Sequence, residues 1–486
     1  MKGVVEGTLL TVAMRWTDRL IGLASTLILA RLLVPEDFGI VAMASLVMAL
    51  ADVVFDLGVY VTLIQNRAPQ QEHFDTAWTL GLLQAAAAAV ALYLCAPYAA
   101  DYFREPRVEE VIQVMGVALL ITGMENIGVV NFQKEMRFDK DFVFLFSKRI
   151  AGFVATLLLA WWLRSYWAMV VGAVVGRLVG VGASYAMHPM RARLSLVRVR
   201  EILGVSQWLL ARTVGGYFES QLHRMVVGRR DSATVMGAYT MAGDISAMPS
   251  TELLMPMNRV LFPAFVQVKH EPDELKRVFL LAQGVQSLIA LPASAGLALV
   301  APELIDLMLG EPWRMAVPFV RIFALAYLAS AMLSSANALM ITLDQVRTLA
   351  LFTWAQVLLF AGLALWAMPE AQAMQIAWLR LGVCVGSDLM FVALLLRVFA
   401  LLHPRDLLRS VMRPLLGACV MAAGLCALSA FWSAPSTLVA LLTKTLAGAL
   451  LYSASVALLW HSAGRPKGAE SFLLEKILDT MKGTRP

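Results

Sequence analysis

Long apolar runs separated by short polar connections account for most of the chain. They fall near 9–31, 39–64, 76–97, 108–130, 142–163, 166–188, 205–228, 233–265, 278–301, 317–342, 346–368, 374–399, 411–432 and 437–461. A helix of about 20 residues crosses the hydrocarbon of a bilayer. The pattern therefore predicts an all-α, polytopic membrane protein with about fourteen transmembrane helices. The run 233–265 is too long for one straight crossing, and Pro249, Pro256 and Pro263, at heptad spacing, predict a bend within it. Beyond Gly464, the residues Phe472, Leu473, Leu474, Ile477, Leu478 and Met481 recur at helical spacing. They predict an amphipathic helix on the inner membrane surface, with a docking helix for a partner as the alternative. The connections are short, which leaves no room for a soluble catalytic domain.

Composition agrees. The chain is 59% hydrophobic and 15% charged, with mean hydropathy +0.71, whereas a soluble globular domain carries about 25% charged residues. A net charge of +6 would suggest nucleic acid in a soluble protein. Here no basic, aromatic-laced soluble domain exists to bind it, so nucleic acid is excluded as a partner. The positive charge instead reflects Lys and Arg retained in cytoplasmic connections. With the N-terminus inside, most loop cations fall on that side, among them Lys134, Arg137, Lys140, Lys148, Arg149 and the cluster Arg191, Arg193, Arg198 and Arg200. Both termini are thus expected in the cytoplasm. Cys95, Cys384, Cys419 and Cys426 sit in apolar runs without metal-ligand spacing. No metal, cofactor or catalytic residue is expected. Arg15, Asp18 and Arg19 interrupt the first apolar run, so it reads as an anchor rather than a cleaved signal.

An internal repeat organises the spans. Leu29–Ala44 aligns without gaps to Val227–Ala242, with identities at Arg31 and Arg229, Gly39 and Gly237, Met43 and Met241, and Ala44 and Ala242. Each segment is the turn between the first two helices of a six-helix group. Two such groups with an even number of crossings are parallel repeats related by a pseudo-two-fold axis along the membrane normal. The expected organisation is an N-lobe at 1–189, a cytoplasmic linker at 190–203, a C-lobe at 204–400, two accessory helices at 401–463 and a cytoplasmic tail at 464–486.

Charges within the spans are the candidate chemistry. At roughly 3 kcal/mol each on insertion scales, exposing all of them to lipid would exceed the about 5–15 kcal/mol of a folded protein. They must pair, snorkel to an interface or line an aqueous cavity. Arg177, Arg321 and Lys444 lie near span ends and are expected to snorkel. Arg15, Arg19, Arg212, Arg224 and Arg259 are the candidates for binding an anion, because a guanidinium fork matches phosphate oxygens and stays protonated. Asp18, Asp52, Asp56, Asp244 and Glu252 are candidate counter-ions or sites for a coupling proton or sodium ion. For each arginine the alternative is a structural ion pair between helices. His223, near a helix end, reads as a hydrogen-bonding residue.

Several segments also carry a resemblance. Ala30-Arg-Leu-Leu-Val-Pro-Glu-Asp-Phe-Gly39, Asp56-Leu-Gly58 with Leu63-Ile-Gln65, and Asn131-Phe-Gln-Lys-Glu-Met-Arg-Phe138 resemble signatures of Wzx-type lipid-linked oligosaccharide flippases. That family lies within the multidrug/oligosaccharidyl-lipid/polysaccharide exporter superfamily. The resemblance covers the chain to about residue 400. It implies a polyprenyl-diphosphate-linked oligosaccharide as substrate, alternating access across the bacterial inner membrane, and membrane lipids, a polysaccharide polymerase and export machinery as partners. A drug or cation exporter of the same superfamily is the alternative. A membrane polymerase or ligase fits less well, because the outer connections are short and no nucleophile, metal or nucleotide motif is present.

Overall fold

The computed structural model describes residues 17, 20–55, 58–65, 69–202, 207–432, 435–466 and 468–481, and these are almost entirely helical. Among the described residues, ten helices are long and apolar enough to cross a membrane, or eleven if one bent pair is a single span. The expected fourteen is not reached by this measure. The described part of the first helix, Leu20–Leu32, is short, and the helices at 207–230 and 233–267 carry many polar residues. By contact the chain divides into two compact units, Met1–Gly237 and Ala238–Pro486. The lobes expected from sequence divide it near 190–203 instead.

The first unit holds α1 (Leu20–Leu32), α2 (Pro35–Phe55), α3 (Val59–Gln65), α4 (Gln71–Phe103), α5 (Arg107–Gly123), α6 (Val130–Lys134), α7 (Phe138–Leu163), α8 (Trp167–Met187), α9 (Val199–Ile202) and α10 (Gln207–Arg230). Helix α2 starts with Pro35 in its first turn, where a missing N–H costs nothing. Asp37 caps it by accepting from the Val34 N–H at 3.2 Å, and its other oxygen accepts from the Tyr166 N–H at 2.9 Å. One carboxylate thereby joins the start of α2 to the start of α8.

Helices α7 and α8 approach closely because Gly172, Gly176 and Gly180 form a ridge of small residues at every fourth position. A methyl on Gly172 would overlap Thr156 of α7. The run expected as one straight span at 108–130 breaks instead, and α5 and the segment Ile127–Lys134 meet at 67°. Asn126 makes the elbow. Its side chain accepts from the Gly128 N–H and donates to the carbonyls of His188 and Met190 at 3.0 and 2.8 Å, while its own N–H donates to Ser184 Oγ. The backbone groups freed by the break are thus satisfied within the protein, as membrane depth requires.

Helix α4, at 33 residues, is longer than a crossing needs. Its N-terminal turns hold the stretch between α8 and α9. Asp75, Thr76 and Thr79 accept from the backbone N–H groups of Arg193, Arg198 and Ser195 at 3.0, 3.3 and 2.9 Å. The basic linker is therefore fixed to this unit along much of its length.

Helix α10 also belongs here. Tyr217 Oη donates to the Leu46 carbonyl of α2 at 2.5 Å, and Arg229 donates to the Tyr102 carbonyl at 3.1 Å with its guanidinium over the Tyr102 ring. The two repeat segments meet at this point. A methyl on Gly39 would strike the Ala233 carbonyl oxygen, and a methyl on Gly237 would strike that of Pro35. Because 39 aligns with 237 and 35 with 233, each glycine packs on the counterpart of the other's partner. Such reciprocal contact is what a two-fold relation produces.

The second unit begins within α11 (Ala233–Met248) and continues through α12 (Met255–Gln267), α13 (Pro272–Met308), α14 (Val317–Met332), α15 (Ser334–Thr342), α16 (Val346–Gly362), α17 (Ala373–Val398), α18 (Pro404–Phe431), α19 (Thr437–Ser462) and α20 (Ala469–Met481). The long run at 233–265 is interrupted by a π-helical segment, Pro249–Leu254, which begins at the first of the three prolines. Tyr239 stacks edge-on against Phe319 and Phe323 of α14, with ring centroids 5.2 and 4.8 Å away. Buried Gln283 of α13 is satisfied by the Met332 carbonyl and Ser335 Oγ, both at 2.7 Å. Helix α19 docks on α13 through Tyr452 Oη to the Leu288 carbonyl and through a Lys444–Glu303 ion pair at 2.5 Å. Lys444 is thus paired within the protein, in place of the snorkelling expected of it. The tail helix α20 is held by Arg413 and Glu470 at 3.1 Å and by Ala469 against Gly284, while Phe472 and Leu474 stay exposed.

Candidate functional site

Helices α1, α7 and α8 enclose a half-open cavity of about 650 Å³ within the first unit. Its walls are apolar and aromatic, including Leu29, Phe142, Phe146, Phe153 and Met169, and its polar side chains are Lys148, Arg149, Arg177, Ser25, Thr26 and Thr156. Few polar groups converging in an apolar concavity are the usual signature of a ligand site. Among the described residues, the three ionisable groups of the lining are all basic. Arg149 lies against α1 at Gly22. Arg177 Nη1 approaches the Met115 carbonyl at 3.4 Å. Lys148 Nζ lies 5.2 Å from the Phe144 ring centroid and pairs with Glu125 at 2.5 Å.

A second cavity of about 310 Å³ lies among α2, α3, α4 and α5. It is lined by Asp52, Tyr60, Trp78, Gln84, Thr122 and Glu125, so the carboxyl groups among its described residues give it an acidic character. Glu125 is shared. It follows the end of α5 at the elbow, lines the second cavity, and holds a lysine that lines the first. Asp52 and Glu125 are also the carboxylates whose charge reaches Arg177. The two cavities are therefore joined by a network of opposite charges that is local to one unit.

A polar rim closes around the repeat contact. Arg107 bonds Glu36 at 2.6 Å and Glu105 at 2.7 Å, and the Arg107 hydrogen bond holds the Glu105 carboxyl below its ordinary range. Glu36, Glu105, Arg229, Arg230 and Asp231 line the small hollow at this rim.

The residues expected from sequence fare differently. Arg15, Asp18, Arg19 and Asp56 lie outside the described residues. Arg212 and Arg224 are half-buried on α10, and Asp52 faces the second cavity. Asp244 is an exposed residue of α11 in the second unit; Glu252 and Arg259 fall in the π-helical segment and α12, with side chains outside the description. The groups that the described structure brings together are Lys148, Arg149, Arg177 and Glu125, none of them chosen from sequence. Lys148 and Arg149, which the charge pattern counts on the cytoplasmic side, stand within α7, and Arg177 lines the cavity rather than an interface. The available signal was the apolar stretch Phe142–Phe146 ahead of them, which already places the pair inside a span.

Comparison with known proteins adds a second line. Residues 28–318 match the family model described as polysaccharide biosynthesis protein. The chain is 26% identical over 310 residues to the lipopolysaccharide biosynthesis protein WzxC of Escherichia coli, covering 62% of this chain and 62% of that protein. It is 23% identical over 470 residues to the succinoglycan biosynthesis transport protein ExoT of Rhizobium meliloti, covering 94% and 92%. The structure superposes on that of the lipid II flippase MurJ in an inward closed conformation with a TM-score of 0.73 at 12% identity, over 94% of this chain and 100% of that one. At that identity the likeness establishes the fold.

Proposed function

The chain belongs to the polysaccharide biosynthesis protein family, and from that premise we propose that it is a flippase. It moves a polyprenyl-diphosphate-linked oligosaccharide repeat unit from the inner to the outer leaflet of the bacterial cytoplasmic membrane, for surface or exopolysaccharide synthesis. The observation that carries the proposal is the cavity lined by Lys148, Arg149 and Arg177 inside a membrane-spanning unit. Two guanidinium forks and an ammonium match the oxygens of a diphosphate. The phenylalanine walls suit the first atoms of a lipid chain. At about 650 Å³, the cavity is of the size that holds a head group rather than a whole repeat unit, so the sugars extend outside it and the tail stays in the bilayer.

Alternating access then rocks two six-helix lobes about the linker 190–203, with both termini in the cytoplasm. Arg15, Arg19, Arg212, Arg224 and Arg259 supply further positive potential along the path, with Asp18, Asp52, Asp56, Asp244 and Glu252 as counter-ions or coupling groups. No bond of the substrate is made or broken, so the role is transport and not catalysis. Cation export, the second reading, draws support from the acidic lining of the second cavity. It leaves the basic cavity without a use.

The test is flipping of a fluorescent polyprenyl-diphosphate sugar by purified protein in vesicles. Losing one charge-assisted hydrogen bond costs about 1.5–3 kcal/mol, so Arg149→Gln and Arg177→Gln are each expected to lower the rate by about tenfold or more. Expression and thermal midpoint should stay near those of the parent. Arg15→Ala and Arg259→Ala are expected to lower flipping by less. Parental rates in both Arg149→Gln and Arg177→Gln would overturn the assignment of the cavity.

A further inference from the structure

We propose that the second cavity, among α2, α3, α4 and α5, is a sugar subsite that takes one neutral pyranose ring, a hexose or an N-acetylhexosamine, of the transported oligosaccharide. This rests on the reading of the chain as a flippase of lipid-linked oligosaccharides and adds the part of the path that recognises sugar.

The cavity is built on one face of α4. Ala77, Trp78, Gly81, Gln84, Ala85 and Ala88 all line it and recur every three or four residues, so they form a single stripe. Four of the six are alanine or glycine, which leaves room for a ligand between an indole and an amide. A Cβ built on Gly81 would meet nothing within 4 Å, so the space opens at that residue. The volume of about 310 Å³ stands at the low end of ligand-sized cavities. It suits one ring and not a whole repeat unit.

The lining selects the ligand by its neutral groups first. Gln84 lies well inside α4, yet its amide has no hydrogen-bond partner among the described residues. An amide left unpaired against lipid is costly; facing a cavity, it can donate to and accept from a ligand hydroxyl. The Tyr60 hydroxyl likewise has no partner among the described residues. Thr122 Oγ1 donates to the Ala118 carbonyl at 3.1 Å, which leaves its oxygen as an acceptor. The Trp78 indole nitrogen is buried without a hydrogen-bond partner, so what its ring offers the cavity is carbon. That surface, with Phe55 and Tyr60, suits the C–H face of a pyranose.

Charge then narrows the class. Asp52 and Glu125 offer carboxylate oxygens to sugar hydroxyls, but each is offset from outside the cavity. Lys148 pairs with Glu125 at 2.5 Å, and the charges of both carboxylates reach Arg177. Neither cation lines this cavity. An organic cation therefore finds no surplus negative charge, while a uronate would set its own carboxylate against two others with no cation facing it. A neutral polyhydroxyl ring meets donors, acceptors and carbon without a charge mismatch. Because Lys148 lines the first cavity, its pair with Glu125 is a wall common to both, and the sugar subsite lies beside the diphosphate site.

The test is saturation-transfer difference NMR on the purified full-length protein in a detergent without a sugar head group. The probes are free glucose, galactose and N-acetylglucosamine, with glucuronate as the charged control. The parent should give a saturable signal with at least one neutral sugar and none with glucuronate. Gly81→Met fills the space with a better helix former than glycine and should abolish the signal at an unchanged or higher thermal midpoint. Gln84→Ala, which removes side-chain bulk and one amide, should weaken the apparent affinity by about two- to tenfold. Binding unchanged in both variants overturns the proposal, as does glucuronate binding equal to that of the neutral sugars. A parent that flips the lipid-linked sugar in vesicles but gives no signal with any neutral sugar overturns the subsite and leaves the flippase reading standing. Sugar binding that both variants lose, in a parent that does not flip, overturns the flippase reading and leaves the sugar site standing.

Discussion

Two lysine–glutamate pairs of equal length stand in the two units of this protein, and their surroundings give them different work. Lys148–Glu125 and Lys444–Glu303 both close at 2.5 Å. The second joins α13 to α19, its side chains 13% and 16% exposed, and neither residue lines the cavities described above. The other Glu303 oxygen is buried and accepts no bond among the described residues. The first joins a helix break to a basic cavity, with Arg177 close enough to feel the charge of Glu125. Equal distance does not mean equal role. A pair whose members have no other partner is a fixed strut, and a pair with an alternative partner for each member can exchange.

The comparison predicts its largest effect at the strut. Removing one partner of a buried ion pair costs about 3–5 kcal/mol, because the other charge is left uncompensated. Lys444→Ala should therefore lower the thermal midpoint in detergent markedly. Replacing both residues, Lys444→Met with Glu303→Leu, should recover most of the loss, since two apolar residues leave no charge behind. Lys148→Ala should cost less stability, because Arg177 still faces Glu125, while abolishing most flipping. Equal midpoint losses in Lys444→Ala and Lys148→Ala would erase the distinction.

That distinction shows where sequence reading succeeds and where it stops. The spans were legible because burial in lipid requires long apolar runs, and the π-helical interruption at Pro249 falls where the prolines predicted a bend. The reciprocal glycine contact was foreshadowed by the alignment of Gly39 with Gly237. The site was less legible. A one-dimensional pattern says that Lys148, Arg177 and Lys444 are charged and near or within a span, but whether each snorkels, pairs or lines a cavity depends on what neighbouring helices bring. Glu303 and Lys444 are far apart in sequence, as are Glu125 and Arg177. The elbow at Asn126 depends on carbonyls of His188 and Met190, which no local pattern connects to it. Lys148 and Arg149 show the reverse failure, in which the apolar stretch before them was available but their charge outweighed it.

Packing without charge offers a control for the comparison. Gly39 and Gly237 pack on the carbonyls of Ala233 and Pro35, so an added methyl overpacks either contact by about 1–3 kcal/mol. If the contact is two-fold in kind, Gly39→Ala and Gly237→Ala should lower the thermal midpoint by similar amounts. Gly216→Ala on α10, where a Cβ would have nothing within 4 Å, should leave it unchanged or raise it slightly. A strong effect at one of the paired glycines and none at the other would remove the support this contact lends to the repeat.

The smallest expected effect belongs to a third charged cluster, whose Arg198–Glu201 pair is solvent-exposed and so sets the lower end of the scale. Glu201 accepts from Arg198 at 2.8 Å and from His73 Nε2 at 3.0 Å. His73 Nδ1 accepts from the Gln70 N–H, which places the ring proton on Nε2, facing Glu201. The Arg198 hydrogen bond, followed by that of His73, holds the Glu201 carboxyl below its ordinary value of 4.5. A depressed carboxylate stabilises the fold fully above that ordinary value and loses its contribution as pH falls through the depressed one. At neutral pH, Glu201→Gln should speed amide exchange at Arg193, Ser195 and Arg198, the linker residues held by α4, by only a small factor, since exposed pairs contribute little. After correction for intrinsic exchange rates, parent and variant should converge once the pH has fallen through that depressed value, where the parent's carboxyl has taken up a proton and position 201 is uncharged in both. A difference persisting there would mean that the latch works through shape and not through charge, and exposure alone would then no longer rank the three pairs.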